Sequence, residues 1–375
     1  MAGIYIHIPF CNKKCYYCDF YSITNLKNKD YFIKALIKEI SLKKNYLKNN
    51  KITTLYFGGG TPTILNISDL KKIINKIHKT FDLSKLKEFT IEANPENLTK
   101  DYINKIKQLG VNRISIGVQS FFDDDLKLMN RNHTGKQANK AIENILQSDI
   151  KNFSIDLIYG LPNSDIKKWE QNILTAIKYN PLHISAYHLT YEPKTVFYKY
   201  IKNKKITPVT ENLSIEQYNL LTQILKENKF EHYEISNFAK QKKYSLHNTN
   251  YWKNKKYLGL GPSAHSFNKT SRQWNISDIS KYIEFVNKNK IFYEKEILSD
   301  KDKFNDYIIT KLRTKWGIKY NDLSKKFNQD FINHYKKQLS KYKTNNAVIT
   351  NNNNFILTEK TFFISDKIIE DFIIC

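Results

Sequence analysis

At 375 residues the chain can bury a substantial core and exceeds the usual size of one domain. Aromatic residues make up 14% of it, against only 11 Gly and 8 Pro, so most of it is expected to be globular. The formal net charge of +25 would suit nucleic acid or anionic lipid, but the lysines are spread along the whole chain. The nearest thing to a compact basic block is KQKKY at 240–244, so the charge reads as a solvated surface and no nucleic acid is expected. No apolar run reaches the roughly 18 residues of a membrane-spanning helix. Peripheral contact with a membrane stays open. The run Ile4–Phe10 is too short for a signal peptide, carries His7 and leads straight into cysteines. Four cysteines in this length make no disulfide framework, and a metal or redox site in a reducing cytoplasm fits better. Cys375, the last residue, reads as an incidental thiol.

Residues 3–8 read as a buried strand closed by Pro9. From Asp30 to Tyr46, Tyr31, Phe32, Leu36, Ile37 and Ile40 recur at a helical period. Ile52–Phe57 is a second strand that ends in GGGTPT; Ser68 then reads as the cap of a helix carrying Leu70, Ile73, Ile74 and Ile77. Glu88–Glu92 is a third strand, followed by a helix from about Thr99 to Gln108 that Gly110 terminates. Arg113–Gly117 is a fourth strand, with a helix at 136–147. Phe153–Ile158 and His183–Tyr187 are the fifth and sixth, separated by a helix from Asp165. Six short strands alternating with helices argue for an α/β fold with a parallel sheet. In βα barrels the site lies at the C-terminal strand ends, where this chain's unusual polar residues fall. Beyond about 200 the alternation fades, with a helix near 214–227 and helical spacing again around Tyr307, Ile308 and Leu312. A strand pair is expected at 347–349 and 362–364.

Residues 5–21, YIHIPFCNKKCYYCDFY, hold Cys11, Cys15 and Cys18 in a C-x3-C-x2-C spacing. Three thiolates in one loop can hold three irons of a [4Fe–4S] cluster and leave the fourth without a protein ligand. A pure electron carrier normally takes four cysteines. An open iron is useful where a small molecule must bind the metal. Structural zinc competes, but it wants four ligands in closed geometry, and the fourth would be Asp19 or a distant histidine. In GGGTPT, at 58–63, three glycines let backbone approach a ligand closely, whereas a tight βα turn alone needs one. Glu92, at a strand's C-terminal end, would face a barrel mouth; a structural partner for a buried lysine is the competing reading.

The C-x3-C-x2-C loop after an apolar strand resembles the signature of the radical S-adenosylmethionine (radical SAM) superfamily. The wider string IYIHIPFCNKKCYYCDF resembles the branch of oxygen-independent coproporphyrinogen III oxidases and their relatives. The resemblance implies a partial (β/α)6 barrel with a small C-terminal helical, winged-helix-like domain. It implies that SAM chelates the open iron through its amino and carboxylate groups, and that an electron from the cluster cleaves it to a 5′-deoxyadenosyl radical. It places Gly59, Gly60 and Thr61 at the amino acid end of SAM, and Glu92, Gln119, Arg131 and Asp156 around it. That is chemically coherent, since Arg can pair with a carboxylate and acidic residues can accept from ribose hydroxyls. Tyr5 and Tyr17 match positions set against SAM, with core packing as the competing reading. The implied domains are a barrel over 1–230, a connecting region over 231–295 and a small C-terminal domain over 296–375.

Two departures steer the resemblance within the branch. The oxidases carry a further cysteine two positions after the third, where this chain has Phe20. They also have an N-terminal extension that helps enclose substrate, whereas here the first strand opens the chain. Both absences resemble the haem-trafficking subgroup, the haem chaperones known as HemW. That subgroup also carries an H-N-x-x-Y-W motif, here His247-Asn248-Thr249-Asn250-Tyr251-Trp252. The resemblance implies that His247, Asn248, Tyr251 and Trp252 contact haem, carried as cargo to an acceptor protein the sequence does not name. Imidazole is a common axial ligand and aromatics pack on porphyrin faces. A hydrogen-bonded packing role competes for His247, and His7, His188 and His265 compete for the iron. The alternative function is an oxygen-independent coproporphyrinogen III oxidase that oxidatively decarboxylates two propionates. A radical SAM enzyme acting on RNA is a further alternative, and the scattered charge counts against it.

Overall fold

The computed structural model describes residues 1–48, 50–342, 347–351 and 354–374. Cys375 lies outside them. Strand β1 (Ala2–Ile8) is followed by α1 (Lys29–Leu42), β2 (Ile52–Gly59), α2 (Ile67–Thr80), β3 (Glu88–Ala93), α3 (Lys100–Gln108) and β4 (Arg113–Gln119). Then come α4 (Asp123–Leu128), α5 (Gly135–Leu146), β5 (Asn152–Tyr159), α6 (Ile166–Lys178) and β6 (His183–His188). These six strands are parallel neighbours in chain order. Each has a two-sided sequence, with Ile158 of β5 an apolar exception on the inner face. Ile4, Ile6 and Ile8, Leu55 and Phe57, Ile114 and Ile116, and Ile155 and Leu157 are buried outward, among the helices. The other row is polar and faces the barrel interior: Tyr56 bonds Glu92, Ser115 bonds Asp156, and Ser154 bonds both Asp156 and His183.

Helix starts follow local chemistry. Thr99 accepts from Tyr102 N–H, Asp165 accepts from Lys168 N–H, and Thr134 with Gln137 forms a capping box. For α2 the cap is Asn66, which accepts from Asp69 N–H; the Ser68 hydroxyl donates to Asn66 rather than capping. Helix α1 ends four residues short of Tyr46, and Tyr31 is exposed while Phe32, Ile33, Leu36 and Ile40 are buried.

The sheet does not stop at six strands. After α7 (Val196–Lys202) and α8 (Glu211–Glu227), β7 (Glu231–Glu234) and β8 (Asn237–Ala239) add antiparallel strands to the β6 edge. Helix α9 (Leu246–Trp252) leads to β9 (Tyr257–Leu260), which pairs parallel with β1 on its other edge. Strands β10 (His265–Phe267) and β11 (Ser271–Asn275), helix α10 (Ile279–Asn287) and strand β12 (Tyr293–Ile297) extend that edge. Strands β1 to β12 thus form one open twelve-stranded sheet, ending in β12 on one side and β7 on the other.

The C-terminal part is helical: α11 (Asp300–Leu312), β13 (Ile318–Lys319), α12 (Tyr320–Lys326), α13 (Gln329–Tyr342), β14 (Val348–Asn351), β15 (Asn354–Leu357) and α14 (Ser365–Phe372). Its helices pack on a small sheet ordered β13-β15-β14 around Phe304, Tyr335, Phe355 and Phe372. The strand expected at 362–364 is instead part of a 3-10 turn, Glu359–Ile364, and the partner of β14 is β15. The Thr361 hydroxyl donates to the Thr358 carbonyl at 2.9 Å, which closes the turn, and Phe362 is buried by it.

Candidate functional site

Strand β1 delivers the chain to Phe10, fully buried edge-on against Phe32, and the cysteine loop begins there. The loop is pinned by backbone. Cys11 N–H donates to Ile23 C=O at 2.9 Å, Ile23 N–H to Pro9 C=O at 2.7 Å, and Tyr16 N–H to Met129 C=O at 3.1 Å. The Asn130 side chain donates to the Lys14 carbonyl at 2.8 Å. Cys11, Cys15 and Cys18 are half-buried, free thiols that all line one cavity of about 800 Å³. Burial pushes the Cys18 thiol up to about 11 and raises Cys11. Among the described residues no three His, Cys, Asp or Glu side chains converge as a single metal ion would need. A cubane asks less, because its three thiolates each take a different iron.

The same cavity collects Tyr17, Gly59, Gly60, Thr61, Glu92, Gln119, Arg131 and Asp156. The glycines serve two purposes. Their backbone lines the cavity, and it also lies hard against the root of the cysteine loop: Gly60 N–H donates to Ile8 C=O and Thr61 N–H to Phe10 C=O, both at 2.7 Å. Gly59 has φ +105°, and a Cβ there would fall 2.6 Å from the His7 ring. A Cβ on Gly60 would fall 2.6 Å from the Phe10 carbonyl oxygen and 2.9 Å from that of Ile8. Gly60→Ala is therefore expected to destabilise the cluster-free protein by about 1–3 kcal/mol, read as a lower urea midpoint with unchanged m-value.

Arg131 reaches into the cavity wall from the loop after α4. It donates to Gly117 C=O at 2.7 Å, Asn94 Oδ1 at 2.9 Å and Cys15 Sγ at 3.4 Å. Its Nε is buried without a partner, as is Gln119 Oε1. Gln119 itself is held at φ +67°, where the β4–β5 register slips. Glu92 accepts from the Tyr56 hydroxyl at 2.7 Å and from Gly59 N–H at 3.1 Å. Burial, with Asp156 nearby, pushes its carboxyl up to about 7. Asp156 accepts from Ser115 and Ser154, and burial raises it too. The donor set fits a cluster with SAM on it. Three thiols share one wall, an unpartnered guanidinium N–H and amide oxygen lie beside them, and two buried carboxylates await hydroxyl or cationic partners. Asn94 is a site residue that sequence reasoning missed. It holds Arg131 and donates to Thr61 Oγ1 at 3.3 Å, and its only sequence signal is its place before Pro95 at the end of β3.

Other expected residues fall outside the cavity lining. Tyr5 lies deeper in the barrel, its hydroxyl 3.2 Å from His7 Nδ1 and its ring 6.0 Å from that of Tyr56. His247, Asn248, Tyr251 and Trp252 form α9, which packs on β1 and β2. His247 is 2% exposed, with Nδ1 at 2.9 Å from Thr54 Oγ1 and Nε2 at 2.7 Å from the Tyr251 hydroxyl. His7 is likewise engaged at both ring nitrogens, by Tyr5 and by Tyr21 C=O. His265 is exposed and stacks on Trp274. Of the four histidines considered for iron, only His188 lines the cavity, with Nε2 at 3.0 Å from Ser214 Oγ. Phe20, where the oxidases carry a cysteine, is 71% exposed at the cavity mouth.

The model of the radical SAM superfamily matches residues 5–175, and that of the HemN C-terminal domain matches residues 298–364. The heme chaperone HemW of Buchnera aphidicola subsp. Schizaphis graminum is 38% identical over 322 residues, 83% of this chain and 82% of that one. The heme chaperone HemW of Lactococcus lactis is 31% identical over 99% of this chain and 97% of its own. Among solved structures, coproporphyrinogen III oxidase (HemN) from Escherichia coli superposes with a TM-score of 0.86 at 21% identity, covering 99% of this chain and 89% of that chain. That likeness establishes the shared fold, a radical SAM barrel with its C-terminal helical domain. Superfamily membership in turn implies SAM and a [4Fe–4S] cluster. At 31–38% identity to these chaperones over most of both lengths, the chain belongs to the HemW family of the radical SAM superfamily.

Proposed function

We propose that this chain is a haem chaperone: it carries one [4Fe–4S] cluster on Cys11, Cys15 and Cys18, holds SAM on the open iron, and takes up haem for transfer to an acceptor protein in the cytoplasm. The observation that carries the cluster and SAM reading is one cavity shared by the three thiols, Arg131, Gln119, Glu92 and Asp156. The haem reading rests on the relatives at 31–38% identity. In this reading the cluster supplies an electron and a Lewis-acidic iron. The chain's own residues do the rest. Gly59, Gly60 and Thr61 present backbone to the amino acid end of SAM. Arg131 pairs its carboxylate. Glu92 and Asp156 accept from hydroxyls or face the sulfonium, and Tyr17 covers the cluster side. Domain limits at 1–230, 231–295 and 296–375 belong to the same reading, the middle segment extending the barrel's sheet at both edges. No described helix is long and apolar enough to cross a membrane.

Of the motif His247, Asn248, Tyr251 and Trp252, His247 could ligate haem iron only by releasing Thr54 or Tyr251. The deciding experiment is an anaerobic haem titration of the cluster-reconstituted protein, followed by absorption. Saturation at one haem per chain, with no turnover of coproporphyrinogen III by SAM and reductant, is the expected result. Absent haem binding with formation of protoporphyrinogen would overturn it in favour of the oxidase.

A further inference from the structure

The H-N-x-x-Y-W helix is the one sequence motif that the cavity does not take up. α9 lies at the opposite, N-terminal end of the barrel strands. Its first turn is clasped by Glu88, the first residue of β3, whose carboxylate accepts Leu246 N–H at 2.8 Å and His247 N–H at 2.9 Å. A Cβ added to Gly3 would fall 3.2 Å from the His247 ring, so the imidazole sits against the start of β1.

From this floor two chains of side chains climb through the barrel. The first starts at His247, held by Thr54 and Tyr251. Its ring packs on that of Tyr56 with centroids 5.0 Å apart, and the Tyr56 hydroxyl donates to Glu92 at 2.7 Å. The second starts at Ser245, the N-cap of α9, whose N–H donates to the Tyr233 hydroxyl at 3.3 Å. That hydroxyl lies 2.8 Å from His183 Nε2; His183 Nδ1 lies 2.7 Å from Ser154 Oγ, and Ser154 donates to Asp156 at 3.0 Å. Tyr233, His183, Ser154 and His247 are all at least 98% buried. Each buried carboxylate of the cavity thus stands on a column of packed polar side chains whose other end is α9.

We propose that α9 is a positioning element for the SAM site, with His247 setting Tyr56 beneath Glu92 and the Ser245 end setting the Tyr233–His183–Ser154 column beneath Asp156. The proposal rests on the SAM reading above. Both nitrogens of the imidazole are used within the protein, which suits a strut and leaves no lone pair for a ligand. The columns also couple chemically to Glu92, which is faced by Tyr5 of β1, Tyr56 of β2, Arg113 of β4, Asp156 of β5, Tyr187 of β6 and Tyr251 of α9. A carboxyl beside a cationic ligand binds it best when ionised. Ionisation of Glu92 should therefore contribute a rise in SAM affinity with pH through about 7.

The test measures SAM affinity from pH ~6 to ~8.5 by equilibrium dialysis, and haem absorption, on cluster-loaded wild type, His247→Ala and Tyr233→Phe. The second variant keeps its ring and packing, so it remains informative should the first fold poorly. Expected are a loss of SAM affinity of about tenfold in either variant, a displaced pH midpoint in His247→Ala, and a haem spectrum like that of the wild type. Wild-type SAM affinity and midpoint in both variants would overturn the positioning role. So would a His247→Ala haem spectrum stripped of its axial ligand with SAM binding intact. If the wild type itself bound no SAM, the underlying reading would fall, and the positioning role with it.

Discussion

Cys15→Ser, reconstituted with iron and sulfide, is expected to hold less than about one-tenth of the wild-type iron, with the fold intact. Cys15 occupies the middle of the loop, and its thiol is the one that Arg131 approaches, at 3.4 Å. The loop's backbone is pinned by bonds that do not involve the thiols, among them Tyr16 N–H to Met129 C=O and Phe197 N–H to Tyr16 C=O. Removing one sulfur therefore leaves the loop in place. Two thiolates remain for a cubane that needs three from this chain. The measurement is iron and sulfide per chain beside far-ultraviolet circular dichroism. Full iron and sulfide in the variant would sink the cluster assignment, and loss of helical signal would show instead that the thiol has a structural role.

How far the sequence reveals this molecule depends on the range of the interactions. The six parallel strands are legible because each has an outward apolar row, as in Ile4, Ile6 and Ile8 of β1, and the helices between them show their own period. Strand β9 is not. Tyr257–Leu260 is four residues long and owes its existence to β1, more than 250 residues earlier in the chain. The misassigned strand at 362–364 has a similar cause. Phe362 and Phe363 carry strand propensity, but a hydroxyl-closed turn buries Phe362 without a ladder. In the site, spacing exposes the cysteines and glycines because covalent chemistry and backbone freedom leave marks in sequence. Asn94 leaves none. Its importance comes from Arg131 and Thr61 arriving from other elements. Depth leaves no mark either: H-N-x-x-Y-W reads the same at a ligand's face or on the barrel floor, and the hydrogen bonds of His247 to Thr54 and Tyr251 place it at the floor.

Arg131→Ala is expected to weaken SAM binding roughly ten- to a hundredfold while leaving the cluster loaded. A charge-assisted hydrogen bond contributes about 1.5–3 kcal/mol, and each 1.4 kcal/mol is a factor of about ten. The guanidinium is well prepared for that pairing. Two of its contacts, Gly117 C=O and Asn94 Oδ1, fix its plane, while Nε is left without a partner. Those contacts are made before any ligand arrives, so little ordering cost remains at binding. Arg131→Lys separates charge from geometry: a lysine keeps the charge but cannot span Gly117, Asn94 and a carboxylate together, so its affinity should fall between those of the wild type and alanine. Unchanged affinity in Arg131→Ala would remove this residue from the SAM site and leave it as a support for Cys15. Lost iron in the same variant would say that the support is the larger role. Iron content and SAM affinity, measured on one preparation, distinguish the two.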